Sequence, residues 1–222
     1  MNPFNTSIGR TRGSALATNK LIRSTYSLLS MTLLFSAATA GLSVAYNLPH
    51  PGLLLTMVGY FGLLFLTNKL RNSAWGIASV FALTGFMGLT LGPIISYYLK
   101  IPNGDQIVMS ALGGTGAIFL GLSGYALTTR KDFTFLGGFL MVGIMVAFLG
   151  SLAALFFSIP AMSLAISAMF VMLMSGYILY QTSLMVNGGE TNYIMATVSL
   201  YISIYNLFLS LLQLIGAFSG DD

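Results

Sequence analysis

Seven long apolar runs separated by short polar segments make up most of the 222-residue chain. They cover about 24–46, 52–68, 74–99, 107–128, 134–158, 161–185 and 192–218. Asn47-Leu48-Pro49-His50-Pro51 closes the first run, Asn68-Lys69-Leu70-Arg71-Asn72 the second and Lys100-Ile101-Pro102-Asn103-Gly104-Asp105 the third. Thr129-Arg130-Lys131-Asp132, Ile159-Pro160 and Asn187-Gly188-Gly189-Glu190 close the next three. A helix needs roughly 20 apolar residues to cross a hydrocarbon core of about 30 Å. Within that core every backbone N–H and C=O must be satisfied inside the segment. A membrane barrel would show alternating polarity over stretches of about 10 residues; these runs are continuous and longer. The pattern predicts an all-α polytopic membrane protein with seven transmembrane helices.

Composition points the same way. Hydrophobic residues are 56% of the chain and charged residues 6%, against about 25% charged in an average soluble domain. Mean hydropathy is +0.86. Fourteen charged residues cannot clothe a soluble surface of this size, which excludes a cytosolic globular protein. The chain has no cysteine and one histidine, His50, so disulfides, thiolate chemistry and multi-histidine metal sites are excluded.

The basic residues set the orientation. With the N-terminus inside, Arg10, Arg12, Lys20, Arg23, Lys69, Arg71, Arg130 and Lys131 all fall on the inner face, and only Lys100 lies outside. Short Lys/Arg-rich loops stay cytoplasmic. The net charge of +4 is thus a topology signal, and no nucleic-acid partner is implied. The expected organisation is a cytoplasmic N-terminal tail over 1–23, a seven-helix domain over 24–218 and a short external C-terminus over 219–222. Ala38-Thr39-Ala40 resembles a signal-peptidase site. However, a long polar stretch precedes it and apolar sequence continues through Gly41-Leu42-Ser43-Val44-Ala45. The tail, rich in Ser, Thr and Asn, reads either as a solvated segment obeying the positive-inside rule or as a flexible handle for a cytoplasmic partner.

Candidate chemistry is sparse. Gly121-Leu122-Ser123-Gly124 has the Gly-x-Ser-Gly pattern of an intramembrane serine protease, but its serine would need a histidine base within reach, and His50 belongs to the first external loop. No acidic residue falls within a span, which removes an aspartyl protease. A zinc enzyme would need three protein ligands. Gly113-Gly114-Thr115-Gly116 lacks the lysine of a phosphate-binding loop and reads as helix packing. The sequence therefore predicts no enzyme and no cofactor.

Two patterns remain. Gly88 and Gly92, and then Gly143, Ala147 and Ser151, place small residues four apart, a spacing that lets membrane helices approach closely. Pro93 should kink the third helix. On the seventh helix, Asn192, Ser199, Ser203, Asn206, Ser210 and Gln213 fall within roughly 80° of one another. Ser163, Ser167 and Gln181 share a face of the sixth. Such a stripe turns from lipid toward the bundle interior or a watery cavity. It reads either as interhelical hydrogen bonding, at about 0.6 kcal/mol per bond, or as a polar pathway.

The segments Tyr180-Gln181-Thr182-Ser183, Gly188-Gly189-Glu190-Thr191-Asn192-Tyr193, Ala196-Thr197-Val198-Ser199-Leu200-Tyr201 and Tyr205-Asn206-Leu207-Phe208 resemble the Bax inhibitor/YccA family, in particular its bacterial YccA-like branch. Thr84-Gly85-Phe86, Leu91-Gly92-Pro93-Ile94, Leu127-Thr128-Thr129-Arg130-Lys131-Asp132 and Lys20-Leu21-Ile22-Arg23-Ser24-Thr25-Tyr26 fit it too, and the resemblance covers about 18–218. It implies an inner-membrane bundle with six helices around a central seventh, and two activities: modulation of the membrane protease FtsH as a binding partner, or a pH-gated calcium leak. The family's gating aspartates fall at Gln181 and Ser203. Neither titrates near neutral pH, and calcium prefers carboxylate oxygens, so an altered, non-aspartyl gate is what the resemblance leaves of the cation-leak alternative. Modulation of FtsH is the leading expectation, and oligomeric state is not legible.

Overall fold

The computed structural model describes residues 3–157 and 160–219. Among them are seven α-helices and no strand: α1 (Pro3–Ala45), α2 (Leu53–Leu70), α3 (Trp75–Tyr98), α4 (Gly104–Thr129), α5 (Gly137–Phe157), α6 (Pro160–Val186) and α7 (Tyr193–Ser219). A single 3-10 turn, Thr134–Leu136, leads into α5. All seven contain segments long and apolar enough to cross a membrane, so the chain is an all-α polytopic membrane protein. Six of the expected spans agree with helix ends to within three residues. Ile159 and the terminal pair Asp221-Asp222 lie outside the described residues.

The first element differs from expectation. Helix runs on through the segment assigned to the tail, back to Pro3, and the apolar stretch within it begins at Leu16. Ala15, Leu16, Ala17, Lys20 and Leu21 are strong helix formers, and no proline or glycine follows Gly13 until Gly41. At 1.5 Å per residue the 43-residue helix is about 64 Å long, roughly twice the hydrocarbon thickness.

Turn chemistry fixes the joints. Gly188 takes φ +79° just past α6, where a side chain would be strained. There the Gly189 N–H donates to the Leu184 carbonyl at 2.8 Å. Gly52 (φ +86°) precedes α2, again at positive φ.

Packing is uneven around the bundle. α1 lies along α3, and α7 packs against α1, α3, α4 and α6. α2 joins chiefly through α3, and α5 through α6. Half of the most apolar window of α3 and of α7 is buried, against 6% for α2 and 11% for α5. The last two are therefore the outer, lipid-facing helices.

The α1–α3 contact rests on small residues. A Cβ at Gly88 would strike Thr39 Oγ1 and the Ser36 carbonyl, and one at Gly92 would strike the Ser43 side chain. Pro93 cannot donate to the Leu89 carbonyl four residues back. Ser43 Oγ crosses from α1 and donates to that carbonyl at 2.9 Å. The proline inside α3 thus leaves free the acceptor that α1 uses. On the other side of the bundle a Cβ at Gly143 would lie 2.5 Å from Leu173 Cδ2. Ala147 is fully buried and Ser151 Oγ returns to the Ala147 carbonyl at 2.8 Å. The glycine-rich run of α4 packs less than its sequence suggests. A Cβ at Gly113 or Gly116 would meet nothing within 4 Å, and one at Gly114 would approach only Leu211.

Candidate functional site

The polar face of α7 divides into three parts. At its start Asn192 is a helix cap. Its Oδ1 accepts from the Ile194 and Met195 N–H groups at 3.0 and 3.1 Å. Its Nδ2 donates to the Arg71 carbonyl at 3.1 Å and to Asn72 Oδ1 at 2.9 Å. Glu190 Oε1 accepts from the Thr191 and Asn192 N–H groups at 2.8 and 2.7 Å. The Gly-Gly-Glu-Thr-Asn turn therefore ends α6, starts α7 and ties the α2–α3 loop to both.

The neighbouring α4–α5 loop is held the same way. Ser183 Oγ accepts from the Phe133 N–H at 2.9 Å and donates to the Lys131 carbonyl at 3.2 Å. These bonds bring the loops carrying Lys69, Arg71, Arg130 and Lys131 to one end of the bundle, with Asn192 among them. Beside them the Asp132 carboxyl is held below its ordinary value by hydrogen bonds from Thr134, whose N–H lies 2.9 Å from Asp132 Oδ1.

The middle part of the stripe, Ser199, Ser203 and Asn206, floors a cavity of about 1280 Å³ between α2 and α5. Its walls carry Phe61, Phe65, Phe86, Phe148 and several methionines, with the tyrosines Tyr60, Tyr177, Tyr180 and Tyr205 among them. The floor is largely bonded to itself. Ser203 Oγ donates to the Ser199 carbonyl at 2.9 Å and Asn206 Nδ2 to the Ile202 carbonyl at 2.8 Å. The Tyr205 hydroxyl lies 3.3 Å from Thr90 Oγ1.

The outer part, Asn206, Ser210 and Gln213, borders a second cavity of about 370 Å³ with Ser151, Ser163 and Ser167. Ser167 Oγ donates to Gln213 Oε1 at 2.6 Å, and Gln213 Nε2 donates to Ser163 Oγ at 3.1 Å. Asn206 is common to both cavities. Gln181 is buried at 3% exposure but lines neither cavity. Ser163 and Ser167 thus meet α7, whereas Gln181, about four turns further along α6, does not join them.

Sequence reasoning missed Tyr201, buried at 1% exposure on the α1-facing side of α7. Its hydroxyl pairs with Ser36 Oγ at 2.6 Å and lies 3.2 Å from the Thr84 carbonyl. Thr197 Oγ1 reaches the Thr25 carbonyl at 3.3 Å, and the Tyr26 hydroxyl lies 3.3 Å from Thr182 Oγ1. The spacing of Ser36, Thr39, Ala40 and Ser43 is the available signal, since it matches that of Gly85, Gly88 and Gly92.

Chemistry beyond hydrogen bonding finds little support. Ser123 Oγ is buried without a partner, and His50 accepts from the Gly52 N–H in the α1–α2 loop, at the opposite end of the bundle. Among the described residues no group of three or more His, Cys, Asp or Glu could hold a metal ion.

Comparison with known proteins places the fold. The family described as inhibitor of apoptosis-promoting Bax1 matches residues 18–220. The chain is 55% identical to the Modulator of FtsH protease YccA of Escherichia coli K12, over 95% of each chain. It is also 55% identical to an uncharacterised protein of Pseudomonas aeruginosa over 91% of each. Identity to a Pasteurella multocida protein is 51%, over 86% of this chain and 87% of that one. With the family match running from within α1 to the end of α7, this chain belongs to the Bax inhibitor family of polytopic membrane proteins.

Proposed function

We propose that the chain is a non-enzymatic, multi-pass protein of the bacterial inner membrane that binds an FtsH-type protease and modulates its action on other membrane proteins. The observation that carries this reading is the 55% identity, over 95% of both chains, to a protein named as a modulator of FtsH protease. The architecture supports it. α1 is about twice the length a bilayer core requires and extends from the basic end of the bundle. By the positive-inside rule that end faces the cytoplasm, with the N-terminus inside and the C-terminus in the periplasm. The extension offers a protease a graspable segment, attached to a body whose close-packed α1–α3 pair resists extraction.

The test follows the decay of an FtsH membrane substrate with the chain absent, present, and lacking residues 2–18. Slower decay and co-purification with the protease, both lost on deletion, is the expected result. Unchanged decay with the intact chain overturns the proposal, and unchanged modulation by the deletion overturns the part assigned to the N-terminal segment.

One observation favours a second reading, an ion leak with a non-aspartyl gate: Asn206 borders both cavities and so joins the two polar stretches of α7. Flux through proteoliposomes that is abolished by Ser203→Leu with Asn206→Leu, with protease modulation intact, would establish it. Flux no greater than that of empty vesicles rejects it.

A further inference from the structure

The cavity between α2 and α5 has a length, a mouth and a lining that together define an occupant. Along α7 it runs from Met195 to Asn206 and along α5 from Gly137 to Phe148, about 16 Å each. Along α2 it runs from Thr56 to Asn68, about 18 Å. This is the depth of one leaflet, about half of the 30 Å core. A partner's transmembrane helix needs the whole core, so a one-leaflet cleft suits an acyl chain and not a helix.

The mouth lies at the basic end. Asn68 lines it, and Arg71 Nη1 donates to Asn68 Oδ1 at 3.2 Å, which places the guanidinium at the rim. One of five donors is used, leaving the others for an oxyanion. Lys69 sits beside it, and both side chains are exposed. Of the carboxylates in the neighbouring loops, Glu190 is engaged in capping α7 and Asp132 accepts from Thr134.

The lining accepts hydrocarbon. Met141, Met145, Phe61 and Phe65 are more than half exposed or nearly so, open toward the bilayer. Methionine adapts to an irregular chain. On the floor the Ser203 hydroxyl and one Asn206 amide hydrogen are already paired with α7 carbonyls, so hydrocarbon over them leaves those two donors satisfied.

We propose that this cleft binds one anionic phospholipid of the cytoplasmic leaflet, with its phosphate on Arg71 and Lys69 and its acyl chains between α2 and α5. The site is independent of protease modulation. A lipid seated there fills the lateral gap that α2 and α5 leave open and links the two outer helices.

Native mass spectrometry of the purified full chain after exchange into mixed phosphatidylglycerol and phosphatidylcholine tests this. Lys69 and Arg71 together should favour retention of phosphatidylglycerol over phosphatidylcholine roughly 30-fold. Lys69→Glu with Arg71→Glu, both surface positions, should remove that preference while phospholipid still binds. Met145→Trp, which fills the cleft from an exposed position on α5, should cut phosphatidylglycerol retention to the level of phosphatidylcholine on the unaltered chain. Equal retention of the two lipids by the unaltered protein overturns the proposal. So does an undiminished preference in the charge-reversed variant, or a co-purifying polypeptide displaced by Met145→Trp.

Discussion

The Ser36 Oγ and the Tyr201 hydroxyl lie 2.6 Å apart in the buried centre of the bundle, joining α1 to α7 across 165 residues of sequence. Tyr201 also reaches the Thr84 carbonyl on α3, so one side chain fastens three helices. Interhelical bonds in membranes average about 0.6 kcal/mol. Tyr201→Phe removes two of them and should cost about 1 kcal/mol of stability, read by denaturant titration in detergent. Ser36→Ala in the Tyr201→Phe background should add much less than it does alone. Full additivity of the two would show that the contact carries no coupling.

Gly88→Val and Gly92→Val should prevent accumulation of folded protein, since each Cβ enters atoms of α1. Gly116→Val, with open space around it, is the matched control and should leave yield and thermal stability unchanged. Comparable yields for all three would mean that the α1–α3 approach is looser than the structure has it.

Asn192 performs two tasks that substitution separates. Asn192→Ala loses the α7 cap and the tie to the α2–α3 loop, and should cost about 1 kcal/mol or more. Asn192→Asp keeps the cap acceptor and loses only the donors to Arg71 and Asn72. Hydrogen exchange at the first turn of α7 should rise in the alanine variant and stay near the original in the aspartate variant, while the α2–α3 loop loosens in both.

Asp132 gives the pH dependence. Hydrogen bonds from the Thr134 side chain and then its backbone hold the carboxyl below its ordinary 3.8. A lowered pKa means that the fold favours the ionised form. Its contribution is therefore present above about pH 4 and is lost as pH falls through the folded value. The stability difference between the unaltered protein and Asp132→Asn should be small, constant from about pH 5 to 8, and should shrink below about pH 4. A difference that changes between about pH 6 and 8 would contradict this assignment.

Much of the architecture is legible in the sequence because bilayer thickness, backbone satisfaction and turn residues act locally. Pro49, Pro51, Pro102, Pro160 and Gly188 mark breaks that recur at helix ends. The stripe of α7 is legible for the same reason, as helical periodicity needs only one helix. What each stripe member does is not. Asn192 shares the face of Ser199 yet caps the helix, because its partners belong to the α2–α3 loop. Gln181 shares a face with Ser163 and Ser167 yet lines neither cavity: about four turns of α6 separate it from the smaller one, and Tyr177 and Tyr180 are the α6 residues that line the larger one at its level. The cleft depends on α2 following α3 and α5 following α6, and no single run records which helix its neighbour chooses. Tyr201 reads as one more apolar-face aromatic until Ser36 stands opposite it.

The hydroxyls that close the bundle also order its assembly. Ser36, Thr90 and the Thr84 carbonyl emerge on α1 and α3 early in synthesis, whereas Tyr201 and Tyr205 belong to the last helix made. A nascent chain halted before Tyr193 carries both sides of the Gly92–Ser43 seam but leaves Ser36 without its α7 partner. Translation must run to its final helix before the membrane-buried hydroxyls meet their partners, so a truncated copy is a half-closed body marked by its own unpaired polar groups.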